Sequence, residues 1–577
     1  MTSAGAATGG LVRVNQLGYG AFDGKAAYVM TTAAATGARY RVVDRYGHRV
    51  LSGQVGNDAG EWNASYPHVY QLDLSALKIP GTYRLEVPGV ASSSFEIRAS
   101  SRRLATGAKD TAVRFFTAQR DTAHRNDAHA SFYAIPKFVD PDSDQTVGEL
   151  QKIGGPVDAT GGWYDAGDYL KFTHIAAYSE SLLWASVRQD RDPKVLAEAR
   201  HGLSWLDKMW DGKTKTLYIQ VGVGAGNDSE TYIGDHDIWR LPGVDDHLTD
   251  PSERFLRNRP VFRAAPPGKP ISPNLAGRTA AAFALAAQVE TDPRAARKHL
   301  ETAAQIYAQA QTTNVKQLVT SLPFAFYPES AWRDDLELGA TELALAAKRL
   351  GDHRASGWLQ QAGYWAAQYL QHEAGGDTLN LYDVSALAHA DLIRAARTDR
   401  PLVRKLVGDL RAQLEVGASR AAADPFRAGA QYDNFDAVPH TFGLAATARL
   451  YRSVTGDRRY DAFGQQQLDW AFGANAWGVS FMIGVGQNYE RCPHHQIANI
   501  TGRQLTGAVV NGPNGADLFE DGLDGYLDGM KSCPADGSDR YEGLTGHGSR
   551  YVDDVRSWQT AEPADDFAAI AVYALTR

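Results

Sequence analysis

Between Ser101 and Thr576 the chain carries twelve stretches in which apolar residues return every three or four positions, and before Ser101 it carries none. At 577 residues it exceeds the size of one hydrophobic core, and the change of period at Ser101 marks where two units meet. The helical stretches run over 101–120, 176–188, 193–211, 277–289, 295–312, 335–350, 354–372, 383–397, 401–416, 440–455, 460–474 and 565–576. Several close on glycine, as Lys348-Arg349-Leu350 does at Gly351. Strand signals are weak after residue 100, so residues 100–577 are expected to be predominantly α. Twelve helices fit six hairpins closed into an α/α toroid, and the long loops between them read as functional.

Residues 11–99 follow a different rule. Leu11–Val14, Ala26–Met30, Tyr40–Asp44, Val69–Leu74, Thr82–Val87 and Ser94–Ile97 have β-branched or period-two character, with Gly18, Gly47, Gly53, Pro80-Gly81 and Pro88-Gly89 among them. Short strands punctuated by turn residues indicate a β-sandwich. Residues 1–10 have neither a charged n-region nor an apolar h-region. They read as a disordered N-terminus, either a cytoplasmic start or the remnant of a removed signal peptide. A net charge of −8 without a long basic run argues against nucleic acid or an acidic membrane surface as partner. No apolar run approaches the ~20 residues needed to cross a bilayer. Cys492 and Cys533 flank a loop-rich region, and a disulfide and two buried thiols are equally compatible with them.

The chemistry concentrates in three clusters. Gly161-Gly162-Trp163-Tyr164-Asp165-Ala166-Gly167-Asp168-Tyr169-Leu170-Lys171-Phe172 sets two carboxylates three residues apart beside four aromatic rings. Aromatic rings stack on the apolar faces of sugars, and a carboxylate pair can hold and deprotonate a water. Backbone N–H groups in such a turn are expected to keep both carboxylates' pKa low, as a general base requires. The same pattern also suits a helix N-cap or a calcium loop. Glu562 supplies a second kind of carboxyl: Pro563 biases it away from helical geometry, onto a loop before the last helix. Asp565, Asp566 and apolar surroundings are expected to raise its pKa, as a general acid requires, although a lone Glu before a helix is also a common surface residue. The third cluster runs from Ser480 to Asn488 and on to Cys492-Pro493-His494-His495-Gln496. It lacks acidic partners at zinc-like spacing, so its histidines read as hydrogen-bonding groups for a sugar. A weaker signal, Gly234-Asp235-His236-Asp237-Ile238 with Trp239, is an acidic loop suited to calcium or to a cleft wall. No G-x-S-x-G elbow, P-loop or dinucleotide fingerprint occurs in a strand-to-helix context.

In this order the clusters resemble glycoside hydrolase family 9, the inverting endoglucanase family. The first matches that family's G-G-W-Y-D-A-G-D. Gln467-Leu468-Asp469-Trp470 through Gly486 to Pro493-His494-His495 resembles its histidine signature. Tyr551-x-Asp553, Trp558 and Glu562-x-Ala564 resemble its acid signature, with Val510-Asn511-Gly512-Pro513-Asn514 as the loop between. Val12-Arg13-Val14-Asn15-Gln16-Leu17-Gly18-Tyr19, with Pro80–Leu85, resembles the immunoglobulin-like domain that precedes many such catalytic domains. The resemblance implies an (α/α)6 barrel over 100–577, Asp168 as general base with Asp165 as its partner in holding water, and Glu562 as general acid. It implies substrate-binding roles for Trp163, Tyr164, Tyr382, His494, Gln496, Asp553 and Phe567. It also implies a β-glucan substrate, no required cofactor, structural calcium without a ligand set that can be named, and a secreted or periplasmic monomer. Gln496, Phe567 and Ala568 stand where the family usually has arginine, tyrosine and asparagine, near the expected cleft. Gln496 and the acidic 515–540 loop motivate one alternative, an exo-acting β-glucosidase or β-glucosaminidase, and the three departures motivate another, a glycan-binding protein without catalysis.

Overall fold

The computed structural model describes residues 9–376, 379–433 and 435–576. The expectation of disorder for residues 1–10 falls almost wholly outside them. Eight strands come first: β1 (Gly10–Arg13), β2 (Tyr19–Gly20), β3 (Ala26–Thr31), β4 (Arg39–Asp44), β5 (Arg49–Gln54), β6 (His68–Asp73), β7 (Gly81–Glu86) and β8 (Ser93–Arg98). They form two sheets, ordered β1-β3-β6 and β2-β8-β7-β4-β5. Val29, Val42, Tyr70, Leu72 and Leu85 fill the space between the sheets. The other face of the three-stranded sheet sends Tyr28, Met30 and Val69 into the core of the helical unit.

Twelve long helices follow: α1 (Ser101–Gln119), α2 (Thr173–Asp190), α3 (Pro193–Lys208), α4 (Pro273–Val289), α5 (Pro293–Tyr307), α6 (Arg333–Leu350), α7 (Ala355–His372), α8 (Ser385–Ala395), α9 (Arg400–Ala423), α10 (Ala437–Thr455), α11 (Asp461–Ala471) and α12 (Asp565–Leu575). The even-numbered six touch one another in a closed ring, α2-α4-α6-α8-α10-α12 and back to α2, and each odd-numbered helix packs outside its neighbour. This is the (α/α)6 barrel. The sequence explains the two layers. Nearly every residue of α4 is buried, whereas α5 buries one stripe, the difference between an inner helix and a surface one. Inner helices cross closely through glycine: a Cβ on Gly277 would meet the Asp335 carbonyl oxygen at 2.4 Å. Gly351 ends α6 in the left-handed region at φ 68°, as its position after a basic last turn suggested.

The starts of the inner helices meet at one end of the barrel. Arg278 of α4 bonds Asp335 of α6 at 2.7 Å, and Asp334 of α6 accepts from Val384 N, just before α8, at 2.7 Å. Helix N-termini favour negative charge, so this end can host many acids.

Strand structure after residue 100 is more extensive than expected. A six-stranded sheet contains β9 (Ala130–Tyr133), β10 (Lys152–Val157), β11 (Lys171–Phe172), β12 (Trp210–Asp211), β13 (Thr216–Val221) and β14 (Val261–Arg263). Its strands of two to six residues are too short for periodicity to separate from loop. The sheet matters because β11 continues directly from Asp168 and pairs with β13, Lys171 opposite Val221.

The sandwich is fixed to the barrel by buried contacts. Trp62 packs against Phe426, Tyr432 and Trp477 and donates through Nε1 to Leu544 O at 2.9 Å. Asn15 Nδ2 donates to Asp469 Oδ1 at 2.7 Å. Among the described residues no helix is long and apolar enough to cross a membrane. Cys492 and Cys533 are disulfide-bonded.

Candidate active site

The segment from Gly161 to Phe172 reverses direction through two glycines at φ 84° and 75°, a region that side chains disfavour. It then turns at Asp168, whose Oδ1 accepts from Leu170 N at 2.8 Å, while Asp165 N donates to Leu170 O at 2.9 Å. Gly167 lies between the two acids for a steric reason. A Cβ there would fall 2.0 Å from His494 O and 3.2 Å from Glu562 Oε1. The bare backbone lets Gly167 N donate to Glu562 Oε1 at 3.1 Å and Gly167 O accept from Gln496 N at 2.8 Å. Three segments that are distant in sequence therefore meet at one glycine.

Glu562 caps the short helix Trp558–Ala561 in extended geometry, as Pro563 requires. Its pKa is pushed up to about 8, by burial first and then by the charge of Asp168. The direction is the expected one, but the leading neighbour is Asp168 and not Asp565 or Asp566. Asp168 Oδ2 meets His236 Nε2 at 2.8 Å, and His236 Nδ1 meets Asp144 Oδ2 at 2.9 Å. Burial works against the His236 imidazolium, yet hydrogen bonds to these two carboxylates hold its pKa well above the ordinary value.

Asp165 departs from expectation. It is 3% exposed, Oδ2 accepts from Tyr327 OH, and Oδ1 has no hydrogen-bond partner. No backbone N–H reaches it, so burial, then the charge of Asp565, drive its pKa well above the usual carboxylate range. The low pKa anticipated for it required backbone donors, and this turn aims none at Asp165.

Exposure divides the remaining candidates. Asp168, His236, Tyr327, Tyr382, His494 and Glu562 are half-buried and reach solvent. His494 Nδ1 bonds Val555 O at 2.7 Å, its ring meets Trp239, and burial lowers its pKa to about 4, so it is a neutral imidazole. Trp163, Tyr164, Gln496, Asp553 and Phe567 are buried. Trp163 packs on Phe116, and Tyr164 OH donates to Asp121 Oδ1 at 2.9 Å. Gln496 Nε2 donates to Asp235 O at 3.1 Å, and its Oε1 accepts from Arg240 N at 3.3 Å. Asp553 Oδ1 accepts from Arg491 N and Cys492 N at 3.0 and 2.8 Å. These five hold the walls in place and are not brought to the open surface; Ala568 is equally buried.

His236, Asp144 and Tyr327 were absent from the expected site. The 234–238 loop gave a signal for His236, whereas Tyr327 and Asp144 lie in segments with no motif. The acids of that loop are engaged within the protein: Asp235 pairs with Arg240 at 2.6 Å, and Asp237 accepts from Gly226 N and Gly234 N. Among the described residues no group of three or more His, Cys, Asp or Glu side chains is placed to hold a metal ion.

The sequence profile of Glycosyl hydrolase family 9 matches residues 106–575, and that of the cellulase N-terminal ig-like domain matches residues 7–92. Endoglucanase A of Bacillus pumilus is 28% identical over 396 residues, covering 64% of this chain and 57% of the relative. Endoglucanase 4 of Bacillus sp. (strain KSM-522) is 28% identical over 395 residues, covering 64% and 59%. The chain thus spans less than two thirds of either relative. Among solved structures, a single-mutant thermostable endoglucanase from Alicyclobacillus acidocaldarius superposes with a TM-score of 0.71 at 22% identity, over 98% of both chains.

Proposed function

The chain belongs to glycosyl hydrolase family 9, and from that membership we propose an inverting hydrolase of β-1,4-glucosidic bonds in cellulose-like or mixed-linkage β-glucans. Glu562 is the general acid and Asp168 the general base. The observation that carries this reading is the seam at Gly167. It joins a carboxyl whose pKa burial and Asp168 push up to about 8 to the residue beside a hydrogen-bonded carboxylate. Two carboxyl groups with different environments are what acid and base roles require.

Asp168 removes a proton from water, and that water attacks the anomeric carbon from the face opposite the leaving oxygen. Glu562 protonates the departing oxygen. His236 holds the carboxylate of Asp168 in orientation. Asp165, kept protonated by burial, assists as a hydrogen-bonding partner to the water and not as a second base. Tyr382 and His494 are the reachable sugar-contacting groups in this scheme. The reaction uses carboxyl groups and water alone.

The exo-acting alternative gains nothing from relatives that are both called endoglucanases. It also loses one of its two motives, because Gln496 is consumed inside the protein. We further infer a secreted or periplasmic location, for which the disulfide is the supporting feature. The sandwich serves to brace the barrel. Proton NMR of cellopentaose during early hydrolysis tests the mechanism. The α-anomer at the new reducing end is expected first; the β-anomer first would refute inversion, and no new reducing ends would refute the activity.

A further inference from the structure

Two large aromatic rings stand at the surface beside the proposed acid. Trp558 and Phe435 are 41% and 36% exposed, and their rings stack at 5.7 Å with an interplanar angle of 13°. Trp558 opens the four-residue helix Trp558–Ala561, and Glu562 is the residue that caps it. Phe435 precedes Asp436, a non-glycine residue at φ 68° at the start of α10. That conformation is strained and persists where surroundings enforce it. Here it sends neighbouring side chains to different partners. Phe435 stacks on Trp558, while Asp436 Oδ1 accepts from Asn511 Nδ2 at 3.2 Å, and Asn511 N donates to Glu562 O at 3.1 Å. The far edge of Trp558 is tied down as well, Nε1 donating to Asp524 Oδ2 at 3.2 Å. The loop carrying Asp524 joins the active-site wall, with Trp239 N donating to Asp528 O at 2.7 Å.

Resting on the hydrolase reading, we propose that Trp558 and Phe435 form a stacking platform for the sugar units on the leaving-group side of the scissile bond. A general acid protonates the leaving oxygen, so the departing sugars must extend along the wall that carries it. On that wall, two exposed rings, with Trp558 held at its rim by Asp524, match the apolar face of a β-linked glucose. A rigid platform also costs little ordering when the sugar binds.

The test is the steady-state kinetics of Trp558→Ala and Phe435→Ala on cellopentaose and on β-cellotriosyl fluoride, whose leaving group carries no sugar. KM for cellopentaose is expected to rise about ten-fold in each variant, the loss of roughly one ring contact. Its kcat should change less than about three-fold, KM for the fluoride should move less than two-fold, and Trp558→Phe should recover most of the loss. An unchanged KM on cellopentaose overturns the platform. So does a fall in kcat with a shifted alkaline limb of the pH profile, because either ring would then only support Glu562. Wild-type enzyme that releases no reducing ends would instead refute the hydrolase reading, so the two failures are distinguishable.

Discussion

The Gly161–Phe172 loop has two sides with opposite electrostatics. Behind it, four carboxylates meet four cations. Lys171 bonds Asp121 and Asp127 at 2.9 and 3.1 Å, Arg259 bonds the same pair, Arg240 bonds Asp235 and Asp245, and His124 bridges Asp121 and Asp245. In front, Asp165, Asp565 and Asp566 are buried with one oxygen each unpartnered, and burial drives all three pKa values well above the usual range. Buried charges that are paired and hydrogen-bonded fix a geometry, whereas buried acids without partners keep their protons. Paired charges thus hold one side of the loop in place, while buried acids on the other keep their protons.

The sharpest way to break this contrast is to remove the proposed base and acid. Asp168→Ala and Glu562→Ala are each expected to lower kcat on cello-oligosaccharides by on the order of 10³-fold or more. Thermal midpoints should stay within a few degrees of wild type, because neither group belongs to the paired side. Unfolding of either variant would show that the front also carries stability.

On the paired side the expected effects are reversed. Lys171→Met leaves Asp121 and Asp127 short of a buried partner that is entirely enclosed. It should cost about 3–5 kcal/mol in urea unfolding. A loss below about 1 kcal/mol would mean that Arg259 alone satisfies both acids. Next in size is the link between the sides. Asp144→Asn weakens the grip on His236 and through it on Asp168. A roughly ten-fold fall in kcat at near-constant KM is expected, and a change in KM alone would assign His236 to substrate binding instead.

How far this arrangement was legible depends on the range of the signal. All twelve long helices were anticipated, because alanine- and leucine-rich periodicity is local. Their ends were less so. The stretch expected as 295–312 stops at Tyr307, since Gln309 O and Gln311 N leave the helix to pair with Ile271. Strand β5 was missed because Arg49–Gln54 is largely exposed and lacks an apolar alternation. In the site, Asp165, Asp168 and Glu562 were legible through motifs. The Asp144–His236–Asp168 chain was not, because each bond joins segments 68 to 92 residues apart. The burial of Trp163 and Tyr164 was hidden too, because adjacency in sequence to Asp165 says nothing about which way a ring points.

A last contrast separates the two sides by pH. Asp121, Asp127 and Asp235 have folded pKa values held below their ordinary 3.8, against burial, by Lys171, Arg259 and Arg240. Their contribution to stability is present above pH 3.8 and is lost as pH falls through the folded values. Glu562 has the opposite sign. Its folded pKa is raised from 4.5 to about 8 by burial and Asp168, so its contribution is full below 4.5 and disappears as pH rises toward 8. Glu562→Gln removes that titration without changing shape. Between pH 5 and 8 the decline in unfolding free energy should flatten by about 3 kcal/mol relative to wild type. The acid arm below pH 4 should be unaltered. An unchanged alkaline decline would mean that Asp165, Asp565 and Asp566, and not Glu562, carry the proton uptake of the front, and a shifted acid arm would mean that the two sides of the loop are not independent.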